Sequence, residues 1–406
     1  MSTFSSKSVA LAHHWLVGMR GGEKVLEQLS AILPGAPIYT LVARPERLSA
    51  ALRQHKIHTS WLQNVPGGSR HYKKLLPLFP SAVSNLKIKE PAELVVSSDA
   101  SVIKGLQVPS SAIHVCYCHS PPRYLWDLTD DYMQSAETGG AVGRAVFEKV
   151  VPYVREFDRL AAKGVTHFIA NSAFVRDRTM KYYGRAAHVI HPPVSLDDFH
   201  VSKKKPEKFY LIVSQLVPYK RIDLAVAACR RLGRRLIIIG DGGERARLEQ
   251  IAGSHVSLLG PQPHRVLRDY YQRCQALIFP GIEDFGITPL EAMASGRPVI
   301  AYRAGGALET VKDGVTGIFF NEPRVSSLID AIERFEDRMD EFDPAVCRAH
   351  AERFGPKRFR QEMSQFLQSV IASHAKAPPQ ASTLESKKHS KSAGRGSVSS
   401  AGHTRA

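Results

Sequence analysis

The chain predicts an α/β protein made of two Rossmann-like parallel-sheet domains facing a central cleft, and three observations carry that expectation. Short apolar runs alternate with amphipathic helical stretches, the mark of repeated strand–helix units with helices on both faces of a parallel sheet. The alternation stops at a polar, basic, proline-bearing stretch, SLDDFHVSKKKPEKF, and then starts again. The length, 406 residues, suits two domains and a remainder. In such sheets ligands bind beyond the carboxyl ends of the strands, so the chemistry is expected there.

In order, the pattern gives a strand over 9–12 and a helix over 23–33 with Val25, Leu26 and Leu29 on one face. Strands at 93–97 and 113–118, a helix at 145–162, a strand at 166–171, a helix at 172–183 and a strand at 188–191 complete an N-terminal domain, residues 1–200. The second domain, 201–355, has strands at 209–214, 235–239, 257–259, 276–279 and 298–302. Helices at 221–232, 244–252, 264–274, 289–295, near Leu308 and at 325–335 accompany them. A helix over 356–374 is expected to pack back on the first domain. Residues 375–406 hold six basic residues against Glu385, with Leu384 and Val398 their only large aliphatics, and read as a disordered basic tail.

Hydrophobic residues are 43% and charged residues 23% of the chain, enough for a core. The formal net charge of +17 points to an anionic partner: nucleic acid, a membrane surface or a phosphorylated substrate. Five cysteines are too few for a disulfide framework, and no second Cys/His pair stands at ligand spacing from Cys116 and Cys118, so no metal site is expected. No signal peptide or membrane span is seen, and the chain reads as cytoplasmic.

Several residues sit where a cleft-facing group belongs. Gly21 and Gly22 lie between a strand and a helix, where backbone N–H groups can approach a phosphate; a tight turn is the plainer reading. His119 ends a strand and can handle protons or bind hydroxyls, or be structural. Lys220 is placed at the start of a helix, the wrong end for a cation unless an anion binds there. Glu283 and Glu291 are eight apart around a loop and a helix start. Glu291 either closes a capping box with Thr288 at the N-cap or accepts hydrogen bonds from ligand hydroxyls. IIIGDGGERARLE lacks the third glycine of a dinucleotide fingerprint.

Taken together, GMRGGEKVL, YCHSPPRYLWD, SQLVPYKRIDLA, IIIGDGGERARLE and PGIEDFGITPLEAMASGRPVIAYRAGG resemble the family 4 glycosyltransferases of the GT-B fold, over about residues 8–374. The resemblance implies a retaining transferase that moves a sugar from a nucleoside diphosphate sugar to an acceptor hydroxyl. It is most like bacterial surface-polysaccharide mannosyltransferases, which favours GDP-mannose as donor and a glycan or lipid-linked acceptor. It implies that Glu291 binds the donor ribose, Glu283 the transferred sugar and Lys220 the diphosphate. His119 would sit at the sugar. The backbone of Phe285, Gly286 and Ile287, with Gly22 across the cleft, would hold phosphate and sugar, and the Gly260, Pro261, Gln262 turn would lie near the base. Relatives usually carry Arg where this chain has Gln215; Arg221 or Arg303 are the candidates to replace it. No D-x-D occurs, so no cofactor or metal clamp is expected. Retention is then expected by front-face attack, held by the leaving phosphate.

Two other readings follow from the same residues: a catalytically inactive nucleotide-sugar-binding protein, prompted by Gln215, and a sugar-nucleotide epimerase of the same fold. A specific nucleic-acid binder is not expected, since no groove-reading helix or aromatic-basic platform is seen. From Ser69 to Lys89, Arg70, Lys73, Lys74, Lys87 and Lys89 mix with Tyr72, Leu75, Leu76, Leu78 and Phe79 without an acidic residue, while Pro77 and Pro80 forbid one long helix. This reads either as a basic edge over core or as an interfacial patch for the inner face of an anionic membrane.

Overall fold

The computed structural model describes residues 9–134 and 140–376. The chain runs β1 (Val9–His13), α1 (Gly21–Ile32), β2 (Ile38–Thr40), α2 (Ala50–Arg53), β3 (Ile57–Thr59), α3 (Phe79–Ser84), β4 (Leu94–Asp99), β5 (Ile113–Cys118), α4 (Thr129–Gln134), α5 (Gly140–Lys163), β6 (His167–Ala170), α6 (Ala173–Tyr183) and β7 (Ala187–Val189). It continues through β8 (Tyr210–Val213), α7 (Ile222–Leu232), β9 (Leu236–Ile239), α8 (Arg245–Ala252), β10 (Val256–Gly260), α9 (His264–Arg273), β11 (Ala276–Phe279) and α10 (Ile287–Ala294). Last come β12 (Val299–Tyr302), α11 (Ala307–Thr310), β13 (Gly317–Phe320), α12 (Val325–Asp337), α13 (Pro344–Glu352) and α14 (Pro356–Lys376).

These strands form two parallel sheets. The first has order β3-β2-β1-β4-β5-β6-β7 and the second β10-β9-β8-β11-β12-β13. Numbered locally, both read 3-2-1-4-5-6, with one extra edge strand in the first. Each sheet therefore reverses strand order between its first and fourth strands, β1/β4 and β8/β11. A crevice opens at such a switch point, beyond the carboxyl ends. The central strands are buried on both faces: every residue of β1, β4, β5, β9 and β11 is buried. That matches their continuous rather than alternating hydrophobicity.

Three strands differ from the sequence expectation. β2 and β3 are three residues each and β13 is four, too short for a periodic signal, and each is recognised by its parallel pairing, β2 with β1, β3 with β2 and β13 with β12. The stretch 195–209 is not a loose linker. Leu196, Phe199 and Phe209 are buried in the core of the second domain, so its polar residues are the outer side of a packed crossing. Phe359, Met363, Leu367 and Val370 of α14 lie in the same core as Leu11, Val25 and Leu29. The tail from residue 377 lies outside the described residues.

The basic stretch is a broken helix, a 3-10 turn over Tyr72–Leu78 running into α3. Its apolar residues mostly face inward: Tyr72 and Phe79 are buried, Leu75 and Leu76 pack on the core, and Leu78 alone of the five is exposed. The outward face of this stretch is basic rather than amphipathic.

Candidate active site

In the second domain, β8 and β11 end at the switch point and their loops carry the charges. Lys220 does not begin a helix as expected. It ends a 3-10 turn, Pro218–Lys220, and Arg221 in the left-handed region (φ 51°) separates it from α7. The turn aims Lys220 at the loop after β11, where its ammonium pairs with the Glu283 carboxylate. Gly281 makes the approach possible, because a Cβ there would stand 2.7 Å from the Lys220 Cα. Burial pushes the Lys220 ammonium down to about 7; the Arg123 charge adds to this and Asp284 opposes it. The Glu283 carboxylate in contact with it pulls the other way.

The expected capping box between Thr288 and Glu291 is absent. Gly286, at φ 102°, turns the chain into α10 two residues early, so Glu291 falls in the second turn rather than at its third position. Its carboxylate instead accepts a hydrogen bond from the buried Tyr271 hydroxyl at 2.9 Å. Burial raises the Glu291 carboxyl, and the Tyr271 bond partly offsets this. Phe285 is a core side chain stacked on His191, so only its backbone is available. Gly260 closes β10 in the left-handed region (φ 70°), and Gln262 donates its side-chain amide to the Leu259 carbonyl at 2.8 Å. With exposed Pro261 this turn lies two strands from β8, on the sheet edge.

In the first domain the equivalent strand ends carry neutral hydrogen-bonding groups. Ser98, on β4, bridges His13 Nδ1 at 3.1 Å and His119 Nε2 at 2.8 Å, and its carbonyl meets His14 Nδ1 at 3.4 Å. Burial depresses all three rings. His119 falls to about 3, with His14 adding to the effect; His14 falls to about 4; His13 falls well below the usual range. The cluster is uncharged at neutral pH, and each ring can accept or donate according to its tautomer. Beneath it, buried Lys104 is paired with Asp99 and Asp158.

The two halves meet across the cleft. A Cβ on Gly21 would stand 2.9 Å from the Ile287 Cδ1, and one on Gly22 would stand 3.3 Å from the His13 ring and 3.7 Å from His119 Nε2. Gly21, Gly22, His119 and Ile287 are thus brought together. Lys220 and Glu283 form the second, charged cluster, and the Gly260–Gln262 turn lies apart from both at the sheet edge. Neither expected substitute for Gln215 points there: Arg221 pairs with Asp223, and Arg303 with Asn321 and Asp313. Sequence reasoning missed Ser98, His13, Arg123 and Asp284. The paired histidines at the end of β1 were the available signal for His13; for Arg123 and Asp284, 161 residues apart, spacing offered none. Among the described residues, no group of three His, Cys, Asp or Glu is placed to hold a metal ion, and no helix is long and apolar enough to cross a membrane.

Two parallel sheets with switch points facing one cleft define the GT-B class of fold. Residues 195–346, most of the second domain, match the family model described as glycosyl transferases group 1. The chain is similar to an uncharacterized glycosyltransferase of Methanocaldococcus jannaschii, 27% identical over 183 residues, 44% of this chain and 52% of that protein. It is also similar to the D-inositol 3-phosphate glycosyltransferase of Mycobacterium tuberculosis, 30% identical over 167 residues, 36% of this chain and 35% of that one. The match thus spans about half or less of these curated relatives. Among solved structures, Anabaena HepE in complex with UDP superposes with a TM-score of 0.63 at 16% identity, over 89% of this chain and 100% of that one. Sucrose-phosphate synthase from Thermosynechococcus elongatus gives 0.65 at 19% identity, over 90% and 100%. At these identities the likeness is one of fold.

Proposed function

We propose that the protein is a retaining glycosyltransferase that transfers a sugar, mannose from GDP-mannose in the first reading, from a nucleoside diphosphate sugar to an acceptor hydroxyl of a glycan or lipid-linked glycan. The observation that carries this is the Lys220–Glu283 pair at the β8/β11 switch point, beside the start of α10 and opposite Gly21, Gly22 and His119. The leaving nucleoside diphosphate builds negative charge. Lys220, the α10 N-terminus and loop N–H groups offer it compensation without a metal. Its arrival takes Lys220 from Glu283, leaving that carboxylate to orient the sugar hydroxyls. Glu291, held by Tyr271, takes the ribose. His119, neutral and oriented by Ser98, takes a sugar hydroxyl. Retention proceeds by front-face attack, the leaving phosphate accepting the acceptor proton; that role suits a site whose histidines are too weakly basic to take it.

The experiment is ligand-detected binding of a panel of GDP- and UDP-sugars, followed by transfer assays with the donor that binds. Both bases belong in the panel, because UDP and UDP-glucose occupy Anabaena HepE, of the same fold. Binding of none of them sinks the reading. Donor binding without hydrolysis or transfer leaves an inactive sugar-nucleotide binder, and an altered donor sugar without acceptor leaves an epimerase. The exposed Arg70, Lys73 and Lys74 support attachment to an anionic membrane face by charge alone.

A further inference from the structure

The loop that carries Glu283 is gripped from the other domain at the very next residue. Arg123, in the stretch after β5, places Nε and Nη2 on both carboxylate oxygens of Asp284 at 3.0–3.2 Å, and its Nη1 donates to the Ile282 carbonyl at 2.9 Å. Arg178, on α6, gives a further N–H to Asp284 at 2.9 Å. Arg178 is itself held by the Ser120 hydroxyl at 2.6 Å, the Pro121 carbonyl at 3.0 Å and the Asp127 carboxylate. The Ser172 hydroxyl, at the head of α6, donates to the Asp284 backbone carbonyl. These side chains are well covered, 11% exposed for Arg123, 6% for Arg178 and 23% for Asp284. Neither domain's core needs the contacts, since the hydrophobic clusters of the two domains close separately. A planar guanidinium fork on a carboxylate fixes orientation as well as distance. Asp284 lies between Glu283 and Phe285, so what it fixes is the backbone of the proposed donor loop.

We propose that Arg123 and Arg178 are positioning residues that act through Asp284. They hold Glu283 and the first turn of α10 against the His119 side of the cleft, so the two halves of the site are assembled only with the domains closed. What the assembled site does rests on the glycosyltransferase reading; the grip itself is a property of the free protein.

The test uses the full chain. The five cysteines are all buried, so spin labels on the exposed positions Lys87→Cys and Glu333→Cys, one in each domain, report the distance between domains. The unsubstituted loop should give one narrow distribution. Asp284→Ala and Arg123→Ala should each broaden and lengthen it at an unchanged unfolding temperature. Adding Arg123→Ala to Asp284→Ala should change less than Arg123→Ala does alone, because only the bond to the Ile282 carbonyl is left to lose. Arg123→Lys, which keeps the charge and loses the fork, should fall between; with Asp284→Asn it also serves where an alanine variant folds poorly. An unchanged distribution in Asp284→Ala, or a double variant equal to the sum of two independent shifts, overturns the proposal.

GDP and UDP titrations of the same proteins separate the two ideas. Affinity for whichever nucleotide binds should fall about tenfold or more in Asp284→Ala, as expected when one partner of a covered charge pair is removed. Unchanged affinity despite open domains overturns the positioning role. Absence of nucleotide binding by the wild type removes the transferase reading and leaves the distance result to stand or fall alone.

Discussion

The mouths of the two sheets occupy equivalent places in the same strand order and are furnished in opposite ways. At β1/β4 the groups are neutral: three histidines with depressed proton affinity, joined through one serine. At β8/β11 they are charged: a lysine in contact with a carboxylate, with a second carboxylate raised by burial close behind. A neutral cluster of donors and acceptors is suited to sugar hydroxyls, and a cation at a helix start to phosphate. On the proposed reading one topology supplies two kinds of recognition, and the difference lies in which side chains stand at the ends of the central strands and in the loops that follow them.

That division can be broken most directly at the charged mouth. Below pH 7, where Lys220 keeps its proton, Glu283→Ala should abolish transfer while leaving nucleoside diphosphate affinity close to wild type. Lys220→Ala should weaken the diphosphate itself by about 1.5–3 kcal/mol, a charge-assisted contact. Calorimetry with GDP and UDP measures both, and equal losses in the two variants would erase the distinction between sugar and phosphate groups. At the neutral mouth, Ser98→Ala leaves ring nitrogens of His13 and His119 without their bridge. Unfolding in urea should show a loss of about 1–3 kcal/mol, with transfer reduced and nucleotide affinity unchanged.

The comparison sharpens with pH. In Glu283→Gln the pull of burial on Lys220 toward about 7 is unopposed by its partner carboxylate. A lowered lysine is charged below that pH and loses its proton above it. Nucleotide affinity in this variant should therefore be greatest below pH 7 and fall as pH rises toward 9, by up to about tenfold per unit. Wild type, which keeps the carboxylate, should fall later. A profile flat from 6 to 9 in the variant would show that the ammonium does not meet the phosphate. Smaller still is the effect at the basic edge. With residues 377–406 removed, Lys73→Glu with Lys74→Glu should weaken co-sedimentation with anionic liposomes by about 1 kcal/mol per charge at low salt. No binding by the tail-less parent would reduce that edge to ordinary surface. The least change is expected from EDTA, which should leave most transfer activity; complete loss restored by Mg²⁺ would refute the charge argument for Lys220.

How much of this was legible in the sequence depended on whether a feature was local. The alternation of apolar runs and amphipathic helices, and the glycines at Gly21 and Gly22, are local, and they set the fold class and one wall of the cleft. The start of α10 was misplaced by two residues because Thr288-Pro289 mimics a cap, whereas the φ of 102° available to Gly286 lets the helix begin sooner. The Tyr271–Glu291 bond and the buried Lys104 with its two carboxylates join residues 20, 5 and 54 positions apart. Charge in sequence does not announce burial, so these were invisible. The inward placement of Tyr72 and Phe79 in 69–89 was hidden for a related reason: in a 3-10 turn followed by a short helix, apolar residues do not keep the face a continuous helix would give them.

The chain passes between the domains twice, once near Val194 and again near Phe354, before α14 settles on the first domain. The two passages are bonded to each other, Val194 N–H to the Phe354 carbonyl at 2.9 Å and Arg358 to the Pro192 carbonyl at 3.4 Å. A body tethered at one point can swing in any direction. A body tethered by two adjacent, mutually pinned segments turns chiefly about the line through them. Any turning of the second domain on this mount is therefore confined to one arc, as a door is by its jamb.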